Sequence, residues 1–179
     1  MPDRRTDMLK TTANKITMLR VVLVPVFMIL AYSELLTAAF IVYVIACLSD
    51  FLDGSIARHY NQTSDFGKFA DPLADKMLVV AALCFFADKG QMPGWIVAIV
   101  VFREFAVSGL RLTAAVKNRV IAAAWSGKIK TACTMVGLGA MMLFPGTKAV
   151  NITVSIIILV TTLYSGVEYF IKNIDILKD

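Results

Sequence analysis

Six stretches of about 20 mostly apolar residues, near 16–35, 36–59, 68–88, 93–117, 126–145 and 149–171, take up nearly all of this 179-residue chain. A helix needs about that length to cross the hydrocarbon core of a bilayer. The connections between the stretches are too short to hold a soluble domain. The chain is therefore expected to fold as one all-α integral membrane domain of six transmembrane helices, covering 1–179. Composition agrees, since 58% of residues are hydrophobic and only 17% charged, and the mean hydropathy is +0.73, outside the range of soluble domains.

Basic residues orient the path. Of the eighteen Lys and Arg residues, all but Lys89 and Lys148 fall on the cytoplasmic half when both termini are placed inside, the arrangement that the positive-inside rule selects. The first apolar stretch follows Arg4, Arg5, Lys10 and Lys15 and has no small-residue cleavage site behind it, so it reads as a retained helix rather than a signal peptide. Residues 2–14 are expected to form a short interfacial helix ahead of it. Outer turns are marked by Tyr32 to Glu34, by Asp88 to Gly94 with Pro93 starting the next helix, and by Pro145 and Gly146.

The net charge of +5 is spread over four cytoplasmic segments between apolar helices. That distribution argues against a nucleic-acid partner and for an anionic membrane surface or a phosphorylated substrate. Cys47, Cys84 and Cys133 lie in apolar runs without CxxC spacing or a nearby His, and are expected to be small buried apolar side chains rather than disulfide or metal ligands.

The apolar pattern breaks most heavily between the second and third stretches. After the clean run from Leu35 to Leu48 the chain reads SDFLDGSIARHYNQTSDFGKFADPLADK before turning apolar again at Met77. Ionisable groups at membrane depth are costly and usually face a cavity, which makes Asp50, Asp53, Asp71 and Asp75 candidates for a site. Residues three or four apart share a helix face. Asp50, Asp53, Gly54, Ala57 and Arg58 therefore form one stripe, and Gly67, Asp71 and Asp75 another on the next helix. A short turn around Asn61 to Asp65 would fold the two antiparallel. At about 1.5 Å rise per residue, Asp50 lies roughly 22 Å in from Leu35, near the inner edge of a core about 30 Å thick. The site should open to the cytoplasm.

Four facing carboxylates cannot all stay ionised without cations. The candidate ligands are all oxygen, and His59 is the chain's single histidine, so two Mg²⁺ or Mn²⁺ ions are favoured over Zn²⁺. Gly54, Ala57 and Gly67 leave room for a nucleotide or diphosphate against the helix backbone. Arg58 offers a bidentate fork for phosphate. An Asp pair at i, i+3 alone is most often a solvated helix face, and aspartates flanking apolar spans can be plain interfacial ends.

The full run is more specific. It reads DxxDGxxAR, eight unspecified residues, then GxxxDxxxD, and resembles the signature of the CDP-alcohol phosphotransferases at every fixed position. Eight specified positions match by accident with probability on the order of 10⁻¹⁰. The resemblance implies a six-helix homodimeric membrane fold in which Asp50, Asp53, Asp71 and Asp75 hold two metals and Asp75 also serves as base.

The acceptor must be read elsewhere. Arg103 and Glu104 sit well inside the fourth stretch, Arg111 follows eight residues later, and Lys128 and Lys130 open the fifth. Eight residues are about 2.2 turns, so Arg103 and Arg111 can point toward one cavity, as a phosphorylated second substrate would need. The bland alternative makes these cations snorkelling anchors, which suits Lys130 better than the deeper Arg103. The segments ANKITMLR, REFAVSGLRL and SGKIKTA, with YSGVEYF less specifically, also resemble the bacterial phosphatidylglycerophosphate-forming branch of the family. That branch moves the phosphatidyl group of CDP-diacylglycerol to glycerol 3-phosphate and releases CMP, in the bacterial inner membrane. By this likeness Arg103, Arg111 and Lys128 bind the acceptor phosphate, while Asn14 and Thr17 help on the cytidylyl side.

Other acceptors stay open from sequence: inositol phosphate, serine or phosphatidylglycerol. Two rival classes fit less well. Intramembrane prenyltransferases carry two separated acidic motifs, and this chain has one. A small cation transporter would place carboxylates at the membrane centre within inverted repeats, and neither is present. Gly137, Gly139 and Ala140 are small enough for close helix packing of the kind a dimer uses.

Overall fold

In a computed structural model the backbone is described for residues 12–60, 65–117, 119, 121 and 124–176, and side chains for 18–19, 21–49, 76–115, 117, 119, 121 and 124–175. Among these residues the chain forms six α-helices and no strand: α1 (Thr12–Tyr32), α2 (Leu36–Tyr60), α3 (Asp65–Asp88), α4 (Gly94–Val116), α5 (Trp125–Leu143) and α6 (Lys148–Asn173), closed by a 3-10 turn at Ile174–Ile176. They run from 19 to 26 residues, or roughly 28 to 39 Å. By length and composition α6 alone among the described residues is apolar enough to cross a membrane, with shorter apolar segments at Val21–Tyr32 and Leu36–Ser49.

The expected boundaries shift most at the first helix, which starts at Thr12 rather than 16 and stops at Tyr32 rather than 35. Thr12 onward is continuous with α1, so the expected interfacial helix over 2–14 has no separate existence there, and its earlier residues lie outside the described set. The stop has a local cause. Leu35 N–H bonds back to Leu30 O at 3.1 Å, and Glu34 takes φ 63, the left-handed cap usually given to glycine. Helix α3 ends by the same device, with Gln91 N–H on Phe86 O at 2.9 Å and φ 67 at Gly90. A glycine announces the second stop; a glutamate hides the first. Pro93 precedes α4 as its N-cap, at φ −63 and ψ 129, instead of opening it.

The chain divides into two compact units, Met1–Phe85 and Phe86–Asp179. In the first, α1 packs on α2 through buried Phe27, Ala31, Ala39, Tyr43 and Ala46. The alanines let the two backbones approach, and the rings of Phe27 and Tyr43 fill the remaining space at 6.0 Å between centroids. Tyr32 meets Phe85 edge-on at 5.2 Å, joining the C-terminal ends of α1 and α3.

In the second unit α6 packs against both α5 and α4. Its buried stripe, Asn151, Ser155, Ile158, Thr162, Ser165 and Tyr169, repeats every three or four residues. Most of these side chains are small and polar, the kind that lets helices approach within a bilayer. The α5 stripe is Ser126, Lys130, Thr134 and Leu138. Where they cross, Gly137 leaves no space, because a Cβ there would lie 2.8 Å from Val154 Cγ1. Gly137 thus serves close packing within the chain, and Gly139 is buried there too. Gly137→Ala should destabilise by about 1–3 kcal/mol, since valine is stiff about χ1 and cannot swing aside cheaply. Thermal unfolding in detergent should show the loss, and Val154→Ala in the same chain should recover most of it.

Cys47 and Cys133 are half-buried, whereas Cys84 is exposed rather than buried as expected; none of the three is in a disulfide.

Candidate active site

The eight-position signature falls on helical backbone throughout its two halves. Asp50, Asp53, Gly54, Ala57 and Arg58 belong to the last turns of α2, and Gly67, Asp71 and Asp75 to the first half of α3. Observed helix turns the expected spacings into shared faces. Tyr60 ends α2 and Asp65 begins α3, and a chain that short keeps the two helix ends within about 18 Å of each other. The side chains of these eight residues, and of Asn14 and Thr17 in α1, lie outside the described set. Chemically, the acidic members form an all-carboxylate oxygen set, which suits hard divalent cations.

The cationic half of the expected site is described in detail, and it is built inside out. Along α4 the buried positions Val100, Val107, Leu110 and Ala114 mark the packed face, and Arg103 and Glu104 fall in the gap between Val100 and Val107. Their side chains are 11% and 18% exposed, while Phe102 and Phe105 are 75% and 68% exposed. Charge faces protein and phenylalanine faces out, the reverse of a soluble helix and the order that a hydrocarbon surrounding demands.

Glu104 gathers two cations on one oxygen: Oε1 accepts from Arg103 Nη1 at 3.0 Å and from Lys130 Nζ at 2.6 Å. Adjacent helical residues do not normally face each other, so Arg103 must fold back, and two glycines make that route available. A Cβ on Gly127 of α5 would lie 3.7 Å from Arg103 Nη2, and one on Gly166 of α6 would lie 3.3 Å from its Cγ. Arg103 is thus threaded through the junction of three helices. Its buried Nε finds no hydrogen-bond partner among the described residues, leaving a donor for an incoming anion.

Burial decides between the two readings that the sequence leaves open for Lys130. It is 3% exposed, too deep to be a snorkelling anchor, because it continues the packed α5 stripe of Ser126, Thr134 and Leu138. Lys128, two residues earlier, leaves that stripe, is exposed, and lays its ammonium 4.7 Å from the centroid of the Trp125 ring. Arg111 lies on Tyr169 of α6: its Nε donates to the tyrosine Oη at 2.7 Å, with Cζ 5.3 Å from the ring centroid.

Of the expected acceptor residues, then, Arg103 joins Lys130 through Glu104, and Arg111 and Lys128 each rest on an aromatic ring. Gly166 and Tyr169, three apart on one face of α6, receive the two arginines. Sequence reading missed Tyr169, Gly127 and Gly166. The signal was present in YSGVEYF and SGKIKTA, whose glycines carry meaning only once Arg103 is seen between them.

Comparison with known proteins identifies the family. The family model for CDP-alcohol phosphatidyltransferase matches residues 10–165. A Bacillus subtilis protein named CDP-diacylglycerol–glycerol-3-phosphate 3-phosphatidyltransferase is 38% identical over 92% of this chain and 96% of its own length. A probable phosphatidylglycerophosphate synthase of Mycobacterium tuberculosis is 34% identical over 88% and 78%. The Escherichia coli protein with the same name as that of B. subtilis is 31% identical over 86% and 90%. The match takes in both halves of the signature and the cationic cluster up to Lys130, and the chain belongs to the CDP-alcohol phosphatidyltransferase family.

Proposed function

We propose that this chain is a bacterial membrane phosphatidyltransferase that moves the phosphatidyl group of CDP-diacylglycerol onto glycerol 3-phosphate, giving phosphatidylglycerophosphate and CMP. The observation that carries the reading is the complete eight-position signature on α2 and α3, inside the region that the family model matches. Relatives named for this reaction support the choice of acceptor. So does the presence, on α4 and α5, of three cations the signature does not use: Arg103, Arg111 and Lys128.

The outward phenylalanines of α4 support a bilayer setting, in which the six helices cross the membrane with both termini and the signature on the cytoplasmic side. In that setting the lipid donor can enter sideways between helices. A second copy of the chain, forming a homodimer, belongs to the same reading by family likeness.

Asp50, Asp53, Asp71 and Asp75 would hold two divalent cations, Mg²⁺ or Mn²⁺, which when bound neutralise the diphosphate and orient it for in-line displacement. Gly54, Ala57 and Gly67 leave the donor room to approach, Arg58 binds its phosphates, and Asn14 and Thr17 contribute on the cytidylyl side. Arg103, Arg111 and Lys128 hold the acceptor phosphate. The acceptor hydroxyl then attacks the phosphorus that bears diacylglycerol, its proton passes to the Asp75 carboxylate, and the bond to the CMP oxygen breaks with the electron pair leaving on CMP. A carboxylate close to cations is a weak base, so Asp75 contributes mainly by position.

Purified protein with CDP-diacylglycerol, Mg²⁺ or Mn²⁺ and a panel of acceptors tests this directly. Glycerol 3-phosphate should give stoichiometric CMP and phosphatidylglycerophosphate, with at least about tenfold less product from serine, inositol phosphate or phosphatidylglycerol. Preference for another acceptor overturns the substrate assignment while keeping the family chemistry; metal-independent turnover removes the cation sites.

A further inference from the structure

Tyr169 is placed where a bystander would not need to be. Its ring is 2% exposed, wedged among Val107, Leu110 and Ala114 of α4 and bordered by Phe170, Ile121 and Ala124. Its backbone carbonyl accepts from Asn173 Nδ2 at 2.7 Å, which ties down the last turn of α6 beneath it. The phenol oxygen therefore has one address, and at that address it accepts the Nε–H of Arg111. Arg111 itself is exposed, and among the described residues no hydrogen bond is taken by its Nη1 or Nη2.

A guanidinium has five donors in a rigid plane and can meet a phosphate bidentately through its edge or through its two terminal nitrogens. With Nε spent on Tyr169 and one face lying over the ring, only the terminal pair remains for an anion. A free arginine would sample many rotamers before binding, and fixing it in advance removes that entropic cost. We propose that Tyr169 is a positioning residue for acceptor specificity: it holds the Arg111 guanidinium so that its two terminal nitrogens present themselves to the phosphate of the acceptor. This rests on the reading above in which Arg111 binds that phosphate. Tyr169 itself touches no substrate.

The test is steady-state kinetics on the full-length protein in mixed micelles, varying glycerol 3-phosphate and CDP-diacylglycerol separately. Tyr169→Phe keeps the ring and removes the acceptor oxygen. It should raise the KM for glycerol 3-phosphate about five- to tenfold, with kcat and the donor KM each within about twofold of the parent. A general loosening of the fold would instead lower kcat or move both KM values. Arg111→Lys should raise the acceptor KM at least as far, and Tyr169→Phe added to it should change nothing further, because the two act through one contact.

The outcomes separate cleanly. If Arg111→Lys leaves the acceptor KM unchanged, the acceptor reading itself falls. If Arg111→Lys raises it but Tyr169→Phe does not, or if the two effects multiply, only the positioning role of Tyr169 is overturned. Should Tyr169→Phe not survive purification, p-aminophenylalanine at position 169 fills the same space with a group that chiefly donates. An unchanged acceptor KM in that protein overturns the proposal, and a rise supports it.

Discussion

Asp75→Asn is expected to lower turnover about a thousandfold or more while leaving CDP-diacylglycerol binding within a fewfold of the parent. The change preserves size and removes one negative charge from the second acidic stripe, where α3 is continuous helix from Asp65 through Asp75. Losing a positioned base alone costs about 10² to 10⁴ in rate, and in the proposed site a cation ligand goes with it. Donor binding should suffer less, because in the proposed site Arg58 and the glycines contact the donor phosphates independently of Asp75. Single-turnover release of CMP measures the rate, and equilibrium binding of a CDP-lipid measures the affinity. A mutant that turns over near the parental rate would strip Asp75 of its role as base.

Glu104→Ala should produce a large loss of stability without touching the signature. Removing the carboxylate leaves Lys130 and Arg103, with side chains 4% and 11% exposed, buried without their shared counter-charge. Breaking a buried ion pair from one side costs about 3–5 kcal/mol, which for a chain of this size is on the order of 10 °C in unfolding temperature. Lys130→Met in the Glu104→Ala background should restore a good part of it, since one of the two buried charges that lose Glu104 goes with the lysine. Detergent-solubilised protein followed by thermal scanning reads both. Additive losses in the double variant would mean that Glu104 and Lys130 stabilise the fold separately.

These two residues show what was legible in the sequence and what was not. Asp75 could be placed on one helix face with Asp71 from spacing alone, because a helix converts i, i+4 into adjacency without knowledge of any other element; its proposed role as base rests on the family resemblance. The six apolar stretches were legible for the same reason: length and hydropathy are local. Glu104 was visible only as a lone acid among cations, since its partners lie one residue away on α4 and twenty-six residues on, in α5. Lys130 was open to misreading as an anchor, because which face of α5 is packed depends on where α6 lies, and no local pattern fixes that. Tyr169 looked like one aromatic in an apolar span until Arg111, fifty-eight residues earlier, was found on its hydroxyl. The end of α1 was misplaced because Glu34 adopts a conformation that its chemistry does not advertise. Local periodicity thus placed the acidic residues on shared helix faces, whereas the partners of Arg103, Arg111 and Lys130 emerged only from tertiary contacts.

Trp125, exposed at the first turn of α5 beside Lys128, has a consequence for depth. An indole with an ammonium on its face is suited to the headgroup layer, where amphipathic rings settle. It would act as a float, fixing how far α5 sinks. Lys130 follows five residues later, so the height of the buried cation cluster below the headgroups is pegged to that ring. In a thinner or thicker leaflet the helices must tilt or the lipid must deform, while a Trp125 anchor of this kind would keep the buried cation cluster at a constant depth below the headgroups, so that membrane thickness changes little at that level.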